Sequence, residues 1–389
     1  MTYDVTSALT KESMPEDNNK KRRSRLFVLF LFSLIAAGIF GYYAVKSGFL
    51  GSIGKPKYEW QKGMCYTTWS KDRYSSPESD ASLKDLAGLG TQWVSILTTW
   101  YQDSSCSTKI TPGPGTPSDK SVIHAIETAH ALGMNVMLKP HLDILDTSDG
   151  SWRGEISCST DRDWKAWFEA YRDFIVYYAR IAREHKVEIY CIGTELTSVA
   201  TTRGQMWKDI VIKPVRAVYK GTLTYAANWN EEYQHVKFWD ALDYVGIDAY
   251  FPLTEEETPT FEEIMKGWEP WVKEMDEFQK TVNKPIIFPE VGYCSANWTA
   301  KTPWEEIAGG PINLELQANC YRAVFETFWS KEWFYGVYWW RWGTNVRFGG
   351  TGNRGYSPQN KPAKDVVSEW YRKPAPRKTY TDYAPPTVN

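Results

Sequence analysis

Pro285-Ile286-Ile287-Phe288-Pro289-Glu290-Val291-Gly292-Tyr293 is a short apolar run that ends on a carboxylate, and Ile189-Tyr190-Cys191-Ile192-Gly193-Thr194-Glu195-Leu196 repeats the pattern earlier in the chain. Both read as buried strands. A carboxyl group at the exit of such a strand is poorly placed for stability. It is well placed to act on a ligand above a parallel barrel, where the strand C-termini carry the active site.

Strand-like segments recur on either side of these runs, near Lys62–Thr67, Trp93–Leu97, Asn135–Lys139, Glu188–Ile192, Thr222–Ala226, Tyr244–Asp248, Pro285–Phe288 and Gly336–Trp340. Helical patterns separate most of them, at Ser82–Leu89, Ser121–Leu132, Asp163–His185, Gln205–Val218, Phe261–Val282 and Leu314–Phe328. In Asp163–His185 the residues Trp164, Trp167, Phe168, Tyr171, Phe174, Ile175 and Tyr178 form one stripe, which reads as helix-to-barrel packing. Eight βα units in one unrepeated series are best satisfied by a closed parallel sheet, a (β/α)8 TIM barrel. A doubly wound sheet would want a Gly-rich phosphate loop after its first strand, and the sequence has none there.

Leu26 to Val45 is a nearly unbroken apolar stretch of about 20 residues, the length a helix needs to cross ~30 Å of hydrocarbon. Lys20, Lys21, Arg22, Arg23 and Arg25 precede it. The positive-inside tendency then keeps residues 1–25 cytoplasmic and exports the rest of the chain. The expected order is a transmembrane helix at 26–45, a tether at 46–57, one catalytic domain at 58–373 and an irregular tail at 374–389. The alternative is a cleaved signal peptide and a secreted protein, although the stretch exceeds a usual signal core and no A-x-A site comes after it.

A formal net charge of −2 offers no basic face for nucleic acid. Twenty tryptophans and twenty-four tyrosines exceed what a core alone needs, and aromatic faces stack well on sugar rings, although large barrels also bury many of them. Six cysteines and five histidines show no metal-binding spacing. Cys106 and Cys158, in polar stretches after the second and third strands, are expected to form a disulfide between two long loops. Cys65, Cys191, Cys294 and Cys320 read as small buried hydrophobes.

The residues that close the strands belong together, because they share one rim. They are Thr67-Thr68-Trp69, Thr98-Thr99-Trp100, Lys139-Pro140-His141-Leu142-Asp143, Gly193-Thr194-Glu195, Ala227-Asn228-Trp229, Asp248-Ala249-Tyr250, Glu290 and Trp339-Trp340-Arg341-Trp342. Carboxylates, aromatics and hydrogen-bonding groups in this mixture suit a carbohydrate cleft. Glu195 and Glu290 come from the fourth and seventh strands, which face each other, and a retaining glycosidase needs two carboxyl groups about 5–5.5 Å apart. The bland readings are a helix N-terminal carboxylate for Glu195 and an ion-paired loop carboxylate for Glu290. Both glutamates at matched strand ends favour chemistry. His141 and Asp143 are spaced like two metal ligands, but no third ligand stands at a neighbouring strand end, so no metal is expected. Lys139, His141 and Asp143 are instead expected to bond substrate hydroxyls or hold Glu195. Tyr250 either donates its hydroxyl to Glu290 or is an ordinary rim tyrosine. Trp69, Trp100, Trp229 and Trp340 are expected to form aromatic walls.

With these residues assembled, the chain resembles clan A of the glycoside hydrolases and, more narrowly, glycoside hydrolase family 113, a family of retaining β-mannanases. The similarity spans Trp60 to Tyr371. It rests on Gly63-Met64 with Thr67-Thr68-Trp69, Thr99-Trp100-Tyr101-Gln102-Asp103, Leu138-Lys139-Pro140-His141, Trp152-Arg153-Gly154, Gly193-Thr194-Glu195-Leu196, Asp248-Ala249-Tyr250, Pro289-Glu290-Val291-Gly292-Tyr293 and Tyr338-Trp339-Trp340. The resemblance implies Glu195 as acid/base, Glu290 as nucleophile, β-1,4-mannan as substrate, net retention and no cofactor. Many clan members carry Asn immediately before the acid/base, to contact the sugar 2-hydroxyl; Thr194 stands here, and Asn228 is the candidate for the missing amide. The alternatives are a hydrolase of another β-glycan (glucan, xylan or an amino-sugar polymer) and a non-catalytic carbohydrate-binding barrel, which would have no need of both glutamates.

Overall fold

The computed structural model describes residues 58–306, 310–378 and 383–387, all within the second of two compact units, Tyr58–Asn389. The expected membrane span at 26–45, with its flanking segments, lies outside these residues. Among the described residues no helix is long and apolar enough to cross a membrane.

Eight parallel strands make the barrel: β1 (Gln61–Thr67), β2 (Trp93–Gln102), β3 (Asn135–Ile144), β4 (Ile189–Thr194), β5 (Thr222–Asn228), β6 (Val245–Asp248), β7 (Ile286–Val291) and β8 (Phe334–Gly343). Each pairs with the next, and β1 pairs with both β2 and β8, which closes the sheet. A two-residue strand, Thr111–Pro112, lies antiparallel on the end of β2. All eight strands sit where the apolar runs predict them, but β2 and β3 continue to Gln102 and Ile144 instead of stopping at Leu97 and Lys139. The ladder between them is unbroken from Trp93↔Asn135 to Gln102↔Ile144. Backbone pairing thus carries both strands through polar residues at which hydrophobicity alone ends the pattern.

Alternate residues along a strand face opposite sides. Cys65, Leu97, Met137, Ile189, Cys191, Ala226, Ile287 and Tyr338 belong to one buried cluster inside the barrel. Its N-terminal mouth is closed by Tyr58, whose ring meets Tyr244, Tyr335 and Tyr383 edge-on at 5.2, 5.9 and 5.3 Å. Tyr383 belongs to the described C-terminal residues 383–387, which dock on the barrel: Ala384 N donates to Asn283 O and Thr387 N to Asp240 O.

Outward-facing strand residues and the helices form the larger core. The helix Asp161–Glu184 starts on a Thr160 cap and buries the whole expected stripe from Trp164 to Tyr178. Phe261–Val282 and Leu314–Phe328 match their expected bounds. The segment expected as one helix at Gln205–Val218 contains a π-turn, Trp207–Ile212, before Lys213–Val218. Pro214 has no N–H to continue the α ladder there. A further helix, Pro362–Arg372, has no counterpart among the expected elements; it opens with a proline in its first turn.

The expected Cys106–Cys158 disulfide is absent, and both thiols are free. Their loops do meet, Ser157 N donating to Ser105 O. Cys158, however, packs against the core while Cys106 is exposed beside Ser104 Oγ.

Candidate active site

β3 builds the floor. Met137 lies in the inner core, so Lys139, His141 and Asp143 come next on the same face and climb towards the C-terminal mouth. Lys139 is wholly buried, with Nζ 2.6 Å from Glu290 Oε1 and 3.4 Å from each oxygen of Asp248. Burial works against its charge, but the two carboxylates outweigh it and raise its pKa, so it remains an ammonium. Asp248 is pushed well up by burial, against the pull of Lys139 and with Glu290 adding to the rise. These directions are compatible: one cation serves two carboxylates, and the enclosed Asp248 is the one that would take up a proton.

Glu290 extends from β7 with its other oxygen, Oε2, accepting from the Tyr250 hydroxyl at 2.9 Å. His141 Nε2 stands 3.6 Å from Glu290 Oε1 and has no hydrogen-bond partner. Burial, Lys139 and Arg153 together hold this imidazole well below its usual pKa, so it is neutral. Its ring is near-parallel to Trp340, at 6.4 Å and 10°.

Glu195 comes directly after β4 at φ +52°, a backbone region that L-residues rarely adopt. Its Oε1 accepts from Asn228 Nδ2 at 2.8 Å, and its Oε2 faces Arg153 Nη1 at 3.3 Å. Arg153 is itself held by Asp143, at 2.7 and 3.0 Å. Burial raises the Glu195 pKa, with Arg153 opposing and Glu290 adding to the rise. Glu195 therefore leans towards its protonated form, while Glu290 lies against a fixed ammonium.

Both glutamates line one cleft of about 700 Å³. Trp69, His141, Asn228, Trp229, Tyr250 and Trp340 line it too, whereas Lys139 and Asp143 stand behind Glu290 and Arg153. Trp100 does not reach the cleft. Leu97 faces inward, so Trp100 faces outward, stacked on Phe174 at 5.0 Å with Nε1 donating to the Tyr178 hydroxyl at 3.1 Å. Thr194 is also buried and its hydroxyl has no partner. Asn228 supplies its amide to Glu195.

The strand-end residues do not include Trp152, Arg153, Asn230, Trp304 and Tyr356, which also line the cleft. Trp152 and Arg153 are visible in the sequence only as part of a family motif. Trp304 and Tyr356 sit on irregular segments after β7 and β8, where no periodicity points inward. Trp304, nearly half exposed, stacks on Trp229 at 5.2 Å and extends the aromatic wall. Among the described residues no group of three or more His, Cys, Asp or Glu side chains is gathered as a metal ion would require.

No curated protein matches this sequence. Among solved structures, a family 113 β-1,4-mannanase is 28% identical with a TM-score of 0.73, covering 81% of this chain and 100% of its own. The Alicyclobacillus acidocaldarius β-mannanase in complex with ManMIm is 30% identical with a TM-score of 0.72, covering 81% of this chain and 98% of its own. A Ruminococcus gnavus β-glucuronidase, 13% identical with a TM-score of 0.54 over 81% of this chain and 50% of its own, shares the fold alone. The model of Glycoside Hydrolase Family 113 matches residues 64–361. With that match laid over a closed barrel that brings two glutamates into one cleft, the chain belongs to glycoside hydrolase family 113.

Proposed function

We propose that this glycoside hydrolase cleaves β-1,4-linked mannan with net retention, Glu195 acting as acid/base and Glu290 as nucleophile. The observation that carries the reading is the contrast between the two carboxyl groups. Burial raises Glu195, as a proton donor needs, and Glu290 lies 2.6 Å from the buried ammonium of Lys139, which holds its Oε1 in place. The substrate class derives from the family 113 β-mannanases that the chain resembles.

In the first step Glu290 attacks the anomeric carbon while Glu195 gives its proton to the leaving oxygen, and the glycosidic bond breaks as the glycosyl ester forms. In the second, Glu195 takes a proton from water, the water oxygen attacks the same carbon, and the ester to Glu290 breaks. Tyr250 steadies Glu290 through its hydroxyl, and the neutral His141 ring forms part of the cleft wall beside it. Trp69, Trp229, Trp304 and Trp340 provide ring faces for the chain. Residues 58–373 form the catalytic domain of this reading, tethered by 46–57 to a membrane helix at 26–45, with 1–25 cytoplasmic and 374–389 as the tail; secretion after signal cleavage is the alternative.

The test is product analysis of the enzyme on a panel of β-glycans, with Glu290→Ala and Glu195→Ala alongside. Mannan is expected to be cut faster than glucan or xylan. Glu290→Ala is expected to be inactive. Glu195→Ala is expected to keep activity towards substrates with good leaving groups, which need little proton donation. A preference for another glycan overturns the substrate, and wild-type activity in Glu290→Ala overturns the nucleophile.

A further inference from the structure

Beneath Glu195 lies a third glutamate, outside the cleft lining. Glu232, fully buried at the start of the short helix Glu232–His235 after β5, receives three uncharged donors. Its Oε1 contacts the Tyr225 hydroxyl at 2.5 Å, and its Oε2 accepts from Thr197 Oγ1 and from Asn228 N, each at 2.8 Å. A buried carboxyl group is costly to place, even when bonded.

Both neighbours lead to Glu195. The Tyr225 hydroxyl accepts from Leu196 N at 2.7 Å, fixing the peptide directly after Glu195. Asn228, its backbone held by Glu232, donates its side-chain amide to Glu195 Oε1. Glu195 itself sits at φ +52°, tied on its other side by Glu195 N donating to Ala226 O at 2.8 Å. A residue in that backbone region persists only where its surroundings over-determine it. One carboxyl group anchors both supports.

We propose that Glu232 is a positioning residue for the reaction: through Tyr225 and through Asn228 it fixes the orientation in which Glu195 meets the glycosidic oxygen. The proposal rests on the reading of Glu195 as the acid/base. Burial pushes the Glu232 pKa up to about 8. The contact to Tyr225 stands in either form, because the phenol oxygen has a second lone pair for a carboxyl proton. Glutamine copies the protonated form, its NH2 facing Tyr225 and its carbonyl accepting from Thr197 and Asn228; alanine removes both arms.

The experiment compares kcat/KM, which reports the first displacement, on an unactivated β-linked oligosaccharide and on a dinitrophenyl glycoside of the same sugar. Misplacing a reacting group by about 1 Å costs on the order of a hundredfold. Glu232→Ala is expected to lose about ten- to a hundredfold on the first substrate and less than about threefold on the second. Azide, which needs no base, is expected to restore its kcat on the activated substrate. Glu232→Gln is expected to keep most of the wild-type rate on both. Tyr225→Phe breaks the Leu196 arm without removing the carboxyl group, and is expected to show the same selective loss in smaller measure; it decides the matter if Glu232→Ala does not fold. Equal losses on both substrates, or no loss on either, overturn the positioning role. Glu195→Ala in the same assay separates the two readings: if it alone shows the selective loss, only Glu232's role fails, and if it shows none, the acid/base assignment falls and the positioning role with it.

Discussion

Lys139 Nζ lies 2.6 Å from Glu290 Oε1 and 3.4 Å from both oxygens of Asp248, so a single buried ammonium is shared by two carboxylates from neighbouring strands. Without it, Glu290 and the buried Asp248 would face each other in a dry site with no cation between them. Lys139→Met is therefore expected to lower kcat/KM by about tenfold or more, because Glu290 loses the partner that holds its Oε1. Breaking a buried pair by removing one partner also costs about 3–5 kcal/mol of stability. Steady-state kinetics and a denaturant titration check both; wild-type kcat/KM would show that Lys139 does not position Glu290.

Arg153 acts on the other carboxyl group. Burial raises Glu195 and the guanidinium, 3.3 Å away, partly lowers it again. An acid must be protonated to work, so activity falls as pH rises through its pKa, and removing Arg153 raises that pKa. Arg153→Leu is expected to shift the alkaline limb to higher pH, whatever it does to the maximum rate. A shift to lower pH would contradict the assigned electrostatics.

Two tryptophans separate packing from binding. Trp100 lies against Phe174 and Tyr178 on the outer face of β2, so Trp100→Ala is expected to leave KM unchanged and to cost up to about 3–5 kcal/mol. Trp304, 45% exposed and stacked on Trp229 in the cleft, should behave in reverse. Trp304→Ala is expected to raise KM for long oligosaccharides several-fold while the melting temperature barely moves. Paired kinetics and calorimetry on both variants decide it.

The same two positions explain how much is legible in the sequence. Eight apolar runs and their intervening stripes identify the barrel because burial in a βα layer demands those periods. Glu195 and Glu290 stand out because a carboxylate at the end of an apolar run is costly unless used. Trp100 is misplaced by a reading that takes every strand-end residue as rim, whereas the pleat sends only alternate ones inward. Trp304 and Tyr356 sit on irregular segments and Glu232 opens a four-residue helix, and only the path of the chain after each strand carries them to the site. The Cys106–Cys158 disulfide fails for a related reason: adjacency of two loops does not aim two thiols at each other.

Glu232 makes stability depend on pH in a direction opposite to that of a salt-bridged carboxylate. Its folded pKa of about 8 lies above the unfolded value for Glu, about 4.3. Between these limits the folded state holds a proton that the unfolded state has lost, so stability declines as pH rises from about 4 to 8 and levels off above. Glu232→Gln removes this titration. The variant is expected to show a shallower loss of unfolding free energy over that window, measured by urea denaturation at several pH values. A wild-type slope left intact would place the titration elsewhere.

The C-terminal tail is expected to matter for stability and not for chemistry. Tyr383 plugs the N-terminal mouth against Tyr58 and Tyr335, at 5.3 and 5.7 Å, and Ala384 and Thr387 bond to the ends of neighbouring loops. Deleting residues 374–389 would expose those rings, and burying one large apolar side chain contributes about 1.5–3 kcal/mol. The cleft, lined by Glu195 and Glu290, lies at the opposite, C-terminal end of the strands. A chain ending at Lys373 should therefore melt earlier than the full chain but match its kcat/KM at low temperature. Equal melting temperatures would mean that the tail is not part of the barrel's closure, and a matched loss of kcat/KM at low temperature would mean that the two ends of the barrel are coupled.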